Sequence, residues 1–274
     1  MQSLPPIAVL GAGSMAGAIV RGLLAAGADP ASVTVTTRSE ASADAWREAG
    51  VNASALETSP DANAAAVRGA GIVLLGVKPA MVPDTVREVA DALDPDALVV
   101  SVAAGVTTAT MEALVPNPVV RTMPNTPALV GQAVTGVAAG SRAGEAQLAL
   151  VRALFEAVGT VVEVEEDRID ALSAISGSGP ATFFFLVEQL TATAERLGFS
   201  RDEARALAEQ TFIGSAALLA ASDADPTELR RRVTSPKGTT ERIIAVLDEA
   251  QLSDLFETAA HAAIARAREL AAGS

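Results

Sequence analysis

The sequence predicts an α/β domain built on a doubly wound parallel sheet, followed by an all-α domain. Three observations carry this. Short β-rich runs alternate with amphipathic segments through the first half of the chain, which is the pattern of a parallel sheet with crossover helices. A glycine-rich turn lies directly between the first such run and the first helical segment. From Asp167 onward no β-rich run survives, and helical periodicity holds to Leu270.

Taken in order, strands are expected at Ile7–Leu10, Val33–Thr36, Ile72–Leu75, Leu98–Val102, Val119–Thr122 and Val134–Ala138, with a short one at Val51–Ala53. Helices are expected between them at Met15–Ala26, Ala41–Ala49, Asp61–Arg68, Val82–Leu93 and Thr108–Leu114. Glu145–Val158 reads as a further helix and Val161–Val164 as a strand. In the second half, Asp167–Ile175 precedes Ser-Gly-Ser-Gly-Pro, with Pro180 suited to the first position of a helix reaching Leu197. Ser200 is a good N-cap for Arg201–Ala221, and Pro226–Val233, Thr240–Glu249 and Leu252–Leu270 complete the set. Phe183, Phe184, Val187, Leu190 and Leu197 form an apolar face that Phe185 and Leu186 widen. A helix apolar around most of its girth must be covered on several sides, which suggests a subunit interface. The boundary is placed near Glu165, giving domains 1–165 and 166–274.

Composition excludes several kinds of chemistry. The 274 residues have a net charge of −13, which argues against a nucleic-acid surface, since phosphate binding needs clustered Lys and Arg. There is no Cys, so disulfides, thiolate nucleophiles and Cys-ligated zinc are ruled out. The one His, His261, is expected on a helix surface, and a single His leaves no His-based triad or His cluster for a metal. The uncharged stretch Thr122–Ser141 holds two Pro and three Gly and reads as loop and strand, with no membrane span. The chain reaches its first strand by Ile7, leaving no room for a signal peptide, so the cytoplasm is the expected location. Only two Lys occur, Lys78 and Lys237, and both fall in loops with candidate functions.

Gly11-Ala-Gly13-Ser-Met-Ala16 is a G-x-G-x-x-A fingerprint placed after a strand and opening a helix. Gly11 permits the tight turn and Gly13 lets backbone approach a pyrophosphate. Ser14, Met15 and Ala16 open the helix, whose N-terminus supplies N–H groups and positive dipole. After the second strand, where an NAD site usually carries an acid about 20 residues on, stands Thr36-Thr37-Arg38-Ser39. Arg38 with Thr37 beside it suits a 2′-phosphate, so NADPH is expected in preference to NADH. Ser39 also fits as a helix N-cap, and the two readings are compatible.

Gly76-Val77-Lys78-Pro79 and Ser101-Val-Ala-Ala-Gly105 end the next strands at the same sheet edge, outside which ligands of such sheets bind. The small Ala103 and Ala104 leave space for a ring against backbone. Arg121-Thr-Met-Pro-Asn-Thr-Pro127 is stiff and polar, and also fits a rigid interdomain turn. Val233-Thr-Ser-Pro-Lys-Gly-Thr-Thr240 packs Ser235, Lys237, Gly238, Thr239 and Thr240 ahead of a helix. Such a loop makes an anion nest suited to a small carboxylate.

Together these spaced motifs resemble pyrroline-5-carboxylate reductase along nearly the whole chain. The resemblance implies a Rossmann domain and a helical dimerisation domain, an active site completed across a homodimer, and decamers in some members. It implies hydride transfer from NAD(P)H to the imine of 1-pyrroline-5-carboxylate, giving L-proline, the last step of proline biosynthesis. It further implies that Asn63 bonds the adenine-side ribose and that Val77, Lys78, Pro79, Ala103 and Ala104 border the nicotinamide. Ser235–Thr240 would hold the substrate carboxylate, with Thr240 facing the ring nitrogen. The family's loop usually reads Ser-Pro-Gly-Gly, so Lys237 departs from it. Either the loop is reshaped or Lys237 adds charge beside the carboxylate. Reduction of a protonated imine needs no acid–base pair, only orientation and exclusion of water. A β-hydroxyacid dehydrogenase, the nearest rival, needs a Lys base in a second-domain helix. Asp167–Leu197 and Arg201–Ala221 contain no Lys. A catalytically silent NADP(H)-binding protein would have no need of the Thr-rich loop.

Overall fold

The computed structural model describes residues 4–272, with side chains described to Glu269; the expected domain limits at residues 1 and 274 lie outside them. Eight strands form one sheet: β1 (Ile7–Leu10), β2 (Val33–Thr37), β3 (Asn52–Ala55), β4 (Ile72–Leu75), β5 (Leu98–Ser101), β6 (Val119–Met123), β7 (Ala133–Ala139) and β8 (Gly159–Glu163). Their order is β3-β2-β1-β4-β5-β6-β7-β8. The crossovers include α1 (Ser14–Ala25), α2 (Glu40–Glu48), α3 (Ala62–Val67), α4 (Val82–Val89) and α5 (Thr108–Glu112), and α6 (Glu145–Glu156) links β7 to β8.

Consecutive residues of β1 serve opposite faces. Ile7 and Val9 pack with Ile19, Leu23, Leu154 and Phe155 on one side, and Ala8 and Leu10 with Val67, Val86 and Met111 on the other. This period of two is why the buried strands read as unbroken apolar runs. The sheet departs from the all-parallel expectation at one place. β7 runs antiparallel to β6, with Val120 opposite Ala139 and Met123 opposite Gly136. Only residues 124–132 separate these strands, and a parallel crossover needs about a dozen or more. The chain must turn back.

After β8 come α7 (Ile169–Leu172) and a π-turn at Ser173–Gly177, then α8 (Gly179–Arg196), α9 (Arg201–Ala220), α10 (Pro226–Arg232), α11 (Thr239–Glu249) and α12 (Leu252–Ala272). The Ser-Gly-Ser-Gly segment expected to precede a helix is itself mostly helical, because the Ser178 N–H donates to the Ser173 carbonyl at 2.9 Å. Pro180 is accordingly the second residue of α8. Ser200 caps α9 as expected and forms a reciprocal pair with Glu203. By packing, the chain divides into Met1–Ser178 with Ala263–Ser274, and Gly179–Ala262. Within the second unit the Phe183 and Phe212 rings meet edge to face at 5.3 Å, joining α8 to α9. Among the described residues, no helix is long and apolar enough to cross a membrane.

Candidate active site

The glycine turn is built by close approach. Gly11 has φ 84°, and a Cβ there would lie 2.8 Å from Val77 Cγ1. A Cβ on Gly76 would stand 2.4 Å from the Gly11 carbonyl oxygen and 2.5 Å from the Ala16 Cβ. The end of β4 therefore seats directly on the turn, and Ala16 is small because Gly76 backbone abuts it. A Cβ on Gly13, by contrast, would meet open space, as expected where a ligand's phosphate approaches the backbone. Gly13 and Ser14 are exposed and Met15 is half-buried. The first-turn N–H groups of α1 have no intrahelical partner. These residues fit a dinucleotide's pyrophosphate.

Beyond β2, the Arg38 side chain is exposed and makes no ion pair among the described residues. Thr37 is buried, and its hydroxyl donates to the Ser39 carbonyl at 2.9 Å, so its proton is already engaged. Ser39 holds the N-cap position of α2 without capping a backbone N–H, and its hydroxyl lies 3.0 Å from that of Ser42. Asn63 is 4% exposed. Its Oδ1 accepts from the Thr36 hydroxyl at 2.7 Å, and its Nδ2 donates to Glu88 at 3.2 Å.

At the other strand ends, Val77 is half-buried, and Lys78 and Pro79 are exposed where a 3₁₀ turn begins. Ala103 is buried and Ala104 exposed. The loop carrying them is anchored by a group that sequence reasoning missed. The Glu166 carboxylate accepts from the Thr108 N–H at 2.7 Å and the Thr108 hydroxyl at 2.6 Å. Arg121, 4% exposed, lies 3.5 Å from Glu166 and 3.2 Å from Asp170. Asn125 donates to the Ser176 carbonyl at 3.0 Å and accepts from the Val134 N–H at 2.9 Å. The stiff Arg121–Pro127 stretch thus ends β6 and ties it to the π-turn.

In the second unit, Ser235–Gly238 forms a tight loop whose Gly238 is the N-cap of α11, so that Thr239 and Thr240, expected in the loop, are the first two residues of the helix. Lys237 has φ 61°, so the loop keeps the left-handed residue that glycine usually supplies. The Gly238 N–H donates to the Ser235 carbonyl at 3.0 Å, and the Lys237 N–H to Glu241 Oε2 at 2.7 Å. The hydroxyls of Ser235, Thr239 and Thr240 have no partner among the described residues, and Thr240 is half-buried. His261 is exposed beside Glu257. Among the described residues, no group of three or more His, Asp and Glu is arranged to hold a metal.

The sheet order and glycine turn define a dinucleotide-binding α/β protein with an appended helical unit. Residues 6–105 match the family model described as NADP oxidoreductase, coenzyme F420-dependent, and residues 166–270 the one described as pyrroline-5-carboxylate reductase dimerisation. A pyrroline-5-carboxylate reductase of Pseudomonas aeruginosa is 41% identical, covering 98% of each chain. The structure of such an enzyme from Coxiella burnetii superposes with a TM-score of 0.92 at 38% identity, covering 98% of this chain and 99% of that one. A Plasmodium falciparum pyrroline carboxylate reductase solved with NADP bound shares the fold at 24% identity, with a TM-score of 0.81 and 99% of each chain covered. The chain belongs to the pyrroline-5-carboxylate reductase family. It is an NAD(P)H-dependent oxidoreductase acting on a carbon–nitrogen double bond.

Proposed function

We propose that this chain reduces 1-pyrroline-5-carboxylate to L-proline as a homodimer in the cytoplasm, using NADPH in preference to NADH. The observation carrying the substrate assignment is the Ser235–Thr240 loop. It sets three unengaged hydroxyls at the start of an eleven-residue helix, in a family whose name specifies a cyclic imino acid. Gly11, Gly13, Ser14, Met15 and Ala16 hold the pyrophosphate, Arg38 the 2′-phosphate, and Asn63 the ribose, while Thr37, expected on the 2′-phosphate, braces the turn beside Arg38 through its bond to the Ser39 carbonyl. Val77, Lys78, Pro79, Ala103 and Ala104 flank the nicotinamide, which supplies the hydride when bound. Ser235, Lys237, Gly238 and Thr239 hold the carboxylate. The Thr240 hydroxyl meets the ring nitrogen and orients the protonated imine, whose carbon is already electrophilic.

The test is NADPH oxidation with pyrroline-5-carboxylate, then with its six-membered analogue, for wild type and Thr240 variants. Thr240→Ala should lower kcat/KM for the imine about 10-fold or more, the scale of one hydrogen bond of ~1.4 kcal/mol. Thr240→Ser should retain most activity, and NADPH affinity should hardly change in either. Full turnover by Thr240→Ala, or failure chiefly through NADPH binding, would remove this loop from the substrate.

A further inference from the structure

Thr36 does two things at once. Its carbonyl accepts from the Ala12 N–H at 2.9 Å, and its hydroxyl oxygen accepts from the Gly11 N–H at 3.1 Å. Both ends of the residue therefore hold the glycine turn to β2. Thr36 is fully buried, so no water competes for the hydroxyl, and its one proton must go to the remaining neighbour, Asn63, at 2.7 Å.

The direction of this chain of bonds is forced. A backbone N–H can only donate, so Thr36 Oγ1 receives from Gly11 and passes its own proton onward. The atom of Asn63 that meets it must be an acceptor, the amide oxygen. This settles an orientation that the shape of an amide leaves open. The Asn63 nitrogen then faces the Glu88 carboxylate at 3.2 Å, which accepts only, and the polarity agrees at every step. One Nδ2 hydrogen of Asn63 is left over.

We propose that Thr36 is a positioning residue for the cofactor: its buried hydroxyl relays hydrogen-bond polarity from the glycine turn to Asn63, so that Asn63 presents a donor to a ribose hydroxyl oxygen. The inference rests on the reading that Asn63 meets the ribose. It makes the pyrophosphate turn and the ribose contact one unit, since the same hydroxyl holds the Gly11 backbone and orients the Asn63 amide.

The experiment is calorimetric NADPH titration, with steady-state kinetics, of Thr36→Val, Thr36→Ser, Asn63→Ala and the double variant Thr36→Val/Asn63→Ala. Thr36→Val keeps shape and loses the relay. It should weaken NADPH about 10-fold, raising its KM while kcat at saturating NADPH and KM for the imine stay within about twofold of wild type. Thr36→Ser keeps the hydroxyl and should restore NADPH affinity. Because Thr36 acts on the ribose through Asn63, the double variant should lose less affinity than the product of the two single losses, the Gly11 contact being the part that the two variants do not share. A merely structural role would lower the melting temperature of Thr36→Val without separating the two KM values. Wild-type affinity in Thr36→Val, no rescue by Ser, or multiplied losses in the double variant would each overturn the relay. If Asn63→Ala binds NADPH as wild type does, the ribose reading fails and the relay with it. If Asn63→Ala weakens binding and Thr36→Val does not, the relay alone fails.

Discussion

Lys237 holds a left-handed backbone at φ 61°, a conformation that costs an L-residue about 1–2 kcal/mol relative to glycine. Lys237 thus takes up a conformation for which glycine is commonly used, and adds an exposed charge to the turn. Steric rules of this kind make some residues legible in a sequence. Gly11 stands where backbone geometry excludes a side chain, and Gly13 where the proposed pyrophosphate would meet one; both are readable from the fingerprint. The Thr36 hydroxyl is not, because a threonine in a strand looks the same whether or not its hydroxyl orders the hydrogen bonds of its neighbours. Arg38 lies between these cases, readable as a cation where an acid usually stands, with a role only binding can test. Its guanidinium is uncommitted in the free protein, so Arg38→Ala breaks no internal pair. The variant should weaken NADPH by ~1.5–3 kcal/mol, the worth of a charge-assisted bond, and leave NADH within about twofold. Dissociation constants for the two cofactors check this, and equal losses would count against a 2′-phosphate role.

Among the elements, strands and helices of the sheet unit fall close to where apolar period and turn residues put them, since local propensity and burial agree there. The reversal at β7 is the exception. Val134–Ala138 looks like any buried strand, and only the short connection behind it marks its direction. Ionic ties are less visible still. Arg121 and Glu166 lie 45 residues apart and Thr108 and Glu166 58 apart, and no local pattern joins them. Yet Glu166 fixes the start of α5 and, through it, the loop bearing Ala103 and Ala104. Its side chain is 27% exposed and that of Arg121 5%, so solvent screens the cluster only in part. Glu166→Gln keeps an acceptor for Thr108 but loses the charge that both Thr108 and Arg121 use. It should lower stability by about 1–2 kcal/mol, read from the urea midpoint at constant m-value. Glu165→Gln, one residue away and exposed, should stay within ~0.5 kcal/mol. Equal effects from the two variants would mean that the cluster carries no particular stability.

At the scale of the whole molecule, the two units differ in how they bury apolar surface. The sheet unit encloses its core on both faces. In the helical unit, by contrast, α8 has no fully buried residue and α9 has only Ala204 and Ala208. The sequence placed the boundary near Glu165, and the dimerisation family model begins at residue 166. Packing divides the chain after Ser178, because α7 and the π-turn stay tied to β6 and β7 through Arg121 and Asn125. The broad girth of α8 was readable from composition alone, and its consequence is physical. Phe183 meets both Phe212 and Phe184 edge to face inside the protomer, yet Phe184 remains 64% exposed, with Phe185, Ile213 and Val246 each more than half exposed. A soluble monomer rarely leaves so much large apolar surface open, and obligate dimer interfaces resemble a domain core cut in half. A second copy of the chain is the occupant that the dimerisation match supports. Phe184→Glu would place a charge in that interface at a cost of several kcal/mol while leaving the Phe183–Phe212 pair in place. Light scattering should find wild type as a dimer or a multiple of one. The variant should be a folded monomer, with a helical circular-dichroism spectrum, little reductase activity and retained NADPH binding. Phe184→Leu, which keeps the apolar contact, should remain dimeric and active. A wild-type chain that turns over as a monomer, or a Phe184→Glu variant that stays dimeric, would show that this face is not the dimer interface.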